Sequence, residues 1–217
     1  MNFYNTKPKR MPKMKVYCIE GRGFSSNTYI LENNGEAFIF DPSAKEKEIS
    51  DVLDKAGAKP VGIILTHGHF DHTLTLSEVR KRYKVPVMIH TLDNEMLNDS
   101  EKNAGKLLIW KKFDNDPADK TFDDGDLLKL GGGEVKVLHT PGHTKGSCCF
   151  ISDGIMISGD TIFAQGFGRY DLYGGDGQVL FSTLKGFKAL DGSLRIYPGH
   201  GESAVLADAL RNIGISN

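Results

Sequence analysis

Thr66-His67-Gly68-His69-Phe70-Asp71-His72 follows the apolar run Val61 to Leu65 and places three imidazoles and a carboxylate directly after a buried-looking strand. Packing alone does not explain that density. Neutral imidazole is the commonest ligand for zinc-like metals, and residues two apart in extended chain face the same side. The small Gly68 is expected to let the backbone turn so that the side chains converge. An ordinary polar loop is the bland alternative, and the rest of the chain weakens it. Val135 to Leu138 runs into Pro141-Gly142-His143, and Leu194 to Tyr197 runs into Pro198-Gly199-His200. Of the 7 histidines, His67, His69, His72, His143 and His200 all lie in such strand-end loops, with Asp160 in Gly159-Asp160.

Working outward, Asn27 to Glu32 and Glu36 to Phe40 flank Asn33-Asn34-Gly35, a hairpin signature. A second hairpin, Ser147 to Ser152 and Ile155 to Ser158 around Asp153-Gly154, repeats the plan with a turn read as two residues shorter. Asp41 and Asp160 then fall at matching positions, which suggests two related halves that bring equivalent strand ends to one edge. Helical faces are marked by Ile49/Val52/Leu53/Ala56, Leu76/Val79/Tyr83, Leu180/Leu184/Phe187 and Leu206/Leu210/Ile213. Strands alternating with such helices imply helix-covered sheets, and the hairpins make the sheets mixed. Glu101 to Thr121 has no clear period and is read as a mobile loop over the site, with an irregular connection as the alternative.

The chain has 217 residues, 39% of them hydrophobic, which allows one sizeable core. The expected organisation is a basic tail over 1–14 and one domain over 15–217. With 27 Lys+Arg against 28 Asp+Glu, nothing electrostatic points to nucleic acid or an anionic membrane as a partner. No apolar run is long enough to span a bilayer, and no signal core follows the basic start. The 3 cysteines include neighbours Cys148 and Cys149, which would face opposite sides of a strand. This suits a reduced, cytoplasmic interior.

On these motifs the chain resembles a metallo-β-lactamase-fold hydrolase, and within that superfamily the short glyoxalase II-like (hydroxyacylglutathione hydrolase-like) group, from about Lys15 onward. The resemblance implies an α/β (α+β) fold, a four-layer αββα sandwich of two mixed β-sheets with metals at the sheet edge. It implies that His67, His69 and His143 hold one divalent ion, that Asp71, His72 and His200 hold a second, and that Asp160 bridges them. Zinc suits these donors, as do iron and manganese. Two divalent ions with Asp71, Asp160 and a shared hydroxide would keep one surplus positive charge, which favours a developing oxyanion. The implied reaction is attack of that hydroxide on a small acyl thioester, with Asp71 orienting it. Secreted β-lactamases of the superfamily place a cysteine among the second-metal ligands and lack the histidine at position 72, and diiron flavoproteins carry Glu at position 69.

Gly168-Arg169-Tyr170-Asp171 resembles a loop after the bridging aspartate in the glyoxalase II-like group, where a basic residue at the position of Arg169 contacts substrate. A solvated loop arginine is the bland reading. Asp171 stands in the place of a substrate-binding tyrosine, Gly201-Glu202 replace another, and only 17 residues follow His200 where full-length enzymes add a helical domain. These departures put the glutathione moiety in question. His90 and His139 are read as structural. Asp41 is read as a turn cap, with orientation of a ligating histidine as its other role. Gly131-Gly132-Gly133 lacks the Lys-Ser/Thr of a phosphate loop.

The expected partner is a small-molecule substrate, S-lactoylglutathione or another thiol conjugate, with the protein a monomer or homodimer. A mono-iron persulfide dioxygenase and a lactonase-type hydrolase share the motifs and are the rival readings. A processing nuclease is disfavoured by the chain's near neutrality.

Overall fold

The computed structural model describes residues 14–215. The expected basic tail, 1–14, lies outside these residues except for Met14, which packs between the sheets with 4% exposure.

The first sheet contains β1 (Lys15–Ile19), β2 (Thr28–Asn33), β3 (Glu36–Phe40), β4 (Lys59–Ile64), β5 (Val87–His90) and β6 (Lys120–Phe122), hydrogen-bonded in that order. The second contains β7 (Leu127–Leu130), β8 (Gly133–His139), β9 (Cys148–Ser152), β10 (Ile155–Gly159), β11 (Arg195–Pro198) and β12 (Ala204–Val205), also in sequence order. Both sheets are mixed: β3 to β6 run parallel, as do β10 and β11, and the other neighbours are antiparallel.

The two hairpins occupy equivalent places. Asn33 pairs with Glu36 and Ser152 with Ile155, so both turns have two residues, Asn34-Gly35 and Asp153-Gly154, all with positive φ. That is the primed geometry whose twist matches paired strands. The two-residue difference read from the sequence therefore lies in the preceding strand, not in the turn. Each hairpin continues through a helix to a parallel strand: β3 through α1 (Glu46–Ala56) to β4, and β10 through α4 (Gly177–Gly186) to β11. Four helices match the sequence periodicity, with α2 (Leu76–Tyr83) and α5 (Leu206–Asn212) the other two. The aperiodic 101–121 segment holds a short fifth, α3 (Gly105–Ile109), entered and left through Ala104 and Trp110 at positive φ.

Strand alternation sorts the core into layers. Tyr29, Phe38, Phe40 and Ile64 meet Val135, Val137, Phe150 and Ile157 between the sheets. Ile30, Ile39 and Ile63 turn outward to Ile49 and Leu53 of α1 and Leu76 and Val79 of α2. Met156 and Ile196 turn outward to Leu180 and Leu184 of α4 and Leu206 and Leu210 of α5. The result is a helix–sheet–sheet–helix stack. Cys148 and Cys149 do face opposite layers, the first between the sheets and the second toward α4. No helix among the described residues is long and apolar enough to cross a membrane.

At one edge the carboxyl ends of β3, β4, β8, β10 and β11 lead into Asp41, His67, His143, Asp160 and His200. Cross-sheet hydrogen bonds hold this edge in register. Cys148 N donates to Thr66 O at 2.9 Å, Asn27 N to Gly199 O at 2.7 Å, and Tyr29 Oη to Pro198 O at 2.7 Å.

Candidate metal centre

Seven side chains converge at this edge. His67 Nε2 lies 3.1 Å from His143 Nε2, which lies 3.0 Å from His69 Nδ1. His200 Nε2 lies 3.1 Å from an Asp71 oxygen, and His72 Nε2 lies 3.9 Å from the same oxygen. Asp160 stands between the groups: Oδ1 is 3.3 Å from His72 Nε2, while Oδ2 is 3.7 Å from His143 Nε2 and 3.6 Å from His200 Nε2. Donor atoms of His67/His69/His143, of His67/His72/Asp160 and of Asp71/His72/His200 each lie within 4.8 Å of one another.

The outer faces of the rings fix which nitrogen points inward. His143 Nδ1 donates to Arg169 O at 2.6 Å, leaving Nε2 bare toward the centre. Asp41 orients two more. Its Oδ2 accepts from His72 Nδ1 at 2.8 Å and from Thr66 Oγ1 at 2.7 Å, and Thr66 Oγ1 in turn lies 3.1 Å from His67 Nδ1. Oδ1 takes the Thr66 amide at 2.8 Å. Of its two sequence readings, Asp41 therefore orients a histidine, and through Thr66 it reaches a second.

His67 Nε2 and His143 Nε2, each with its proton on the outer nitrogen, face one another at 3.1 Å with no hydrogen to share. Cations fit this arrangement, since ligands on a tetrahedral zinc stand about 3.3 Å apart. His72 Nε2 and Asp160 Oδ1 are also buried with no hydrogen-bond partner. The electrostatics agree. Burial and the facing imidazoles hold His67 well below the ordinary histidine pKa and lower His69 to about 3, so both rings are neutral. Burial opposes charge on His72, but Asp160, Asp41 and Asp71 outweigh it and raise its pKa, a field that favours a cation. Burial would likewise raise Asp160, and the facing histidines, His72 foremost, instead hold it below the usual carboxylate range.

The pattern of the metallo-beta-lactamase superfamily matches residues 21–200. The chain belongs to this superfamily. It is similar to a probable metallo-hydrolase of Bacillus subtilis, YqgX, with 33% identity over 191 residues covering 86% of this chain and 90% of that one. A probable metallo-hydrolase of Methanocaldococcus jannaschii, MJ0888, is 32% identical over 195 residues, 86% and 93% of the two chains. Among solved structures, the BLEG-1 B3 metallo-β-lactamase superposes with a TM-score of 0.87 at 30% identity over 94% of this chain and 100% of that chain. TTHA1623, in a di-iron-bound form, gives 0.78 at 28% identity over 90% and 98%. The chain is a metallo-hydrolase of this superfamily.

The superfamily motif left one supporting residue unmarked. Asp93 is fully buried, and its Oδ2 accepts from Gly68 N at 3.1 Å and from Thr144 Oγ1 at 2.7 Å, while Oδ1 accepts from Gly146 N at 2.7 Å. It ties the His67-Gly68-His69 loop of one sheet to the loop after His143 of the other. Burial raises its pKa and the three donors work against that rise. Gly68 serves this packing too. A Cβ there would lie 2.6 Å from Met96 Cβ, so its smallness admits the neighbouring segment rather than a special turn. Asp93→Asn must turn an amide NH₂ toward at least one buried donor, and is expected to destabilise the protein by about 1–3 kcal/mol, read as a lower midpoint in thermal unfolding.

A cavity of about 270 Å³ opens over this cluster of side chains, with Ala104, Leu108, Phe163 and Leu172 as its apolar wall and Arg169 at its side. The 101–121 segment thus does lie over the site, through Ala104 and Leu108. Arg169 lines this cavity, and its guanidinium is held by Asp171 in two hydrogen bonds, Nε to Oδ1 at 2.7 Å and Nη2 to Oδ2 at 2.8 Å. His90 and His139 lie elsewhere, their rings stacked at 4.2 Å, with His139 Nε2 2.8 Å from Lys145 O.

Proposed function

We propose that this chain hydrolyses a small acyl thioester of a cellular thiol, as in the glyoxalase II-like group, using two divalent cations, with zinc the first choice. His67, His69 and His143 would hold one, Asp71, His72 and His200 the other, and Asp160 would share its oxygens between them. The observation that carries this reading is the position of Asp160, with Oδ1 toward His72 and Oδ2 toward both His143 and His200. The di-iron form of TTHA1623 supports a pair of metals on this fold. Bound cations supply a Lewis acid for the carbonyl oxygen and lower the pKa of water from 15.7 to about 7.

The protein's own groups do the rest. Asp71, at the cavity floor, accepts a hydrogen from the attacking water and so aims it. Asp41, through His72 directly and His67 by way of Thr66, keeps the bare nitrogens inward. The apolar wall excludes water from the far side of the substrate, and a cavity of about 270 Å³ suits a small acyl group, sitting just below the usual range for drug-sized ligands. The likeness to BLEG-1 favours a second reading, hydrolysis of a β-lactam amide in the same cavity.

The test uses zinc-loaded protein against S-D-lactoylglutathione, acyl thioesters of N-acetylcysteamine and a chromogenic cephalosporin, with chelated protein and His67→Ala as controls. Metal-dependent turnover of at least one thioester at a kcat/KM of about 10⁴ M⁻¹s⁻¹ or more is the expected result. Cephalosporin turnover alone would select the second reading. Oxygen uptake on a persulfide with one iron bound would replace hydrolysis by dioxygenation.

A further inference from the structure

We infer that the cavity selects a thioester whose substituent at the Arg169 side is apolar and uncharged, because Asp171 neutralises the basic side chain there. This rests on the thioester reading above and specifies its substrate class. Among the described residues, Arg169 is the single basic side chain lining the cavity apart from its histidines. Its guanidinium is spent on Asp171 through two parallel hydrogen bonds of 2.7 and 2.8 Å. A substrate carboxylate would have to displace Asp171 or lie beside its negative charge. Lys102 and Lys145 both sit against the Tyr173 ring, 5.3 and 5.4 Å from its centroid, and neither lines the cavity. Lys102 is moreover paired with Glu95 at 2.5 Å.

Leu108 of α3 belongs to the apolar wall of the cavity, with Ala104, Phe163 and Leu172. Leu108 is 41% exposed, whereas Trp110 lines a separate pocket with Lys106, Lys111 and Lys112. Exposed aliphatic and aromatic groups bordering a catalytic cavity mark where an apolar substituent is removed from water. A peptide thiol with two carboxylates, such as glutathione, would place them where the chain offers an apolar wall and an arginine already paired with Asp171.

The experiment compares two substrates with the same acyl group, hexanoyl-N-acetylcysteamine and hexanoylglutathione, on metal-loaded protein. The neutral conjugate is expected to have a kcat/KM about tenfold higher or more. Asp171→Asn frees the guanidinium, and is expected to raise kcat/KM for the glutathione conjugate by about three- to fivefold through KM, with kcat unchanged. It should leave the neutral conjugate within about twofold. Leu108→Ser should lower kcat/KM for the neutral conjugate several-fold. Equal treatment of the two conjugates by the wild type, preference for glutathione, or no selective gain in Asp171→Asn would overturn the inference. The non-hydrolysable thioethers S-hexyl-N-acetylcysteamine and S-hexylglutathione, measured by calorimetry, separate the two claims. Absence of turnover on every thioester would overturn the hydrolytic reading, while the ratio of the two Kd values would still decide this one.

Discussion

Replacing Asp160 by alanine is expected to reduce bound zinc from about two ions per chain to one or fewer and to lower kcat/KM on the best thioester by more than the roughly 100-fold that loss of an outer partner costs. The reason is the double engagement of this carboxylate. One oxygen serves the His72 side and the other faces His143 and His200, so its removal withdraws a donor from both cation positions at once. Asp71 and Asp160 would supply the two negative charges that offset a pair of cations, and losing one leaves a single carboxylate against them. Gly199 lies directly against this carboxylate and has no side chain to replace it: a Cβ there would sit 2.2 Å from Asp160 Oδ1. Metal analysis after gel filtration, with activity on the same sample, is the measurement. Two retained ions and full activity would remove Asp160 from its shared role.

Asp41→Ala is expected to cost about 3–5 kcal/mol of stability, because it leaves the Thr66 amide, the Thr66 hydroxyl and His72 Nδ1 buried without their carboxylate. The more informative variant is Asp41→Asn. An asparagine can still accept from the Thr66 amide through its oxygen, but its NH₂ then faces Thr66 Oγ1 and His72 Nδ1. His72 answers by moving its proton to Nε2, the nitrogen that faces Asp160. The fold survives better than in the alanine variant, while affinity at the Asp71/His72/His200 position is expected to fall about 10–100-fold. Urea unfolding and zinc titration on both variants separate the two effects. Equal metal affinity in Asp41→Asn and wild type would show that His72 does not depend on Asp41 for its tautomer.

The hairpins were legible because Asn-Gly and Asp-Gly supply the positive φ that a two-residue turn demands. The four longer helices were legible because each buries one face. The seven centre residues stood out because they sit directly at strand ends, where local motif and global position coincide. Asp93 gave no such signal: its partners Gly68 and Gly146 lie 25 and 53 residues away, and nothing around it in sequence marks a buried acceptor. Likewise, Arg169 could be read as a cavity residue, but its partner depends on the side-chain rotamer, which no spacing encodes. In α3, Ala104 and Trp110 adopt positive φ without being glycine, so the turns that bound that helix carry no compositional mark.

Every proposed cation position draws on both sheets. His67, His69, Asp71 and His72 follow β4 of the first, whereas His143, Asp160 and His200 follow strands of the second. An ion bound here is therefore a rivet through the sandwich, and its affinity feeds directly into resistance to unfolding. Melting temperature becomes a gauge of occupancy. A dye-based thermal screen of apo protein against zinc, iron and manganese would rank the metals before any substrate is known.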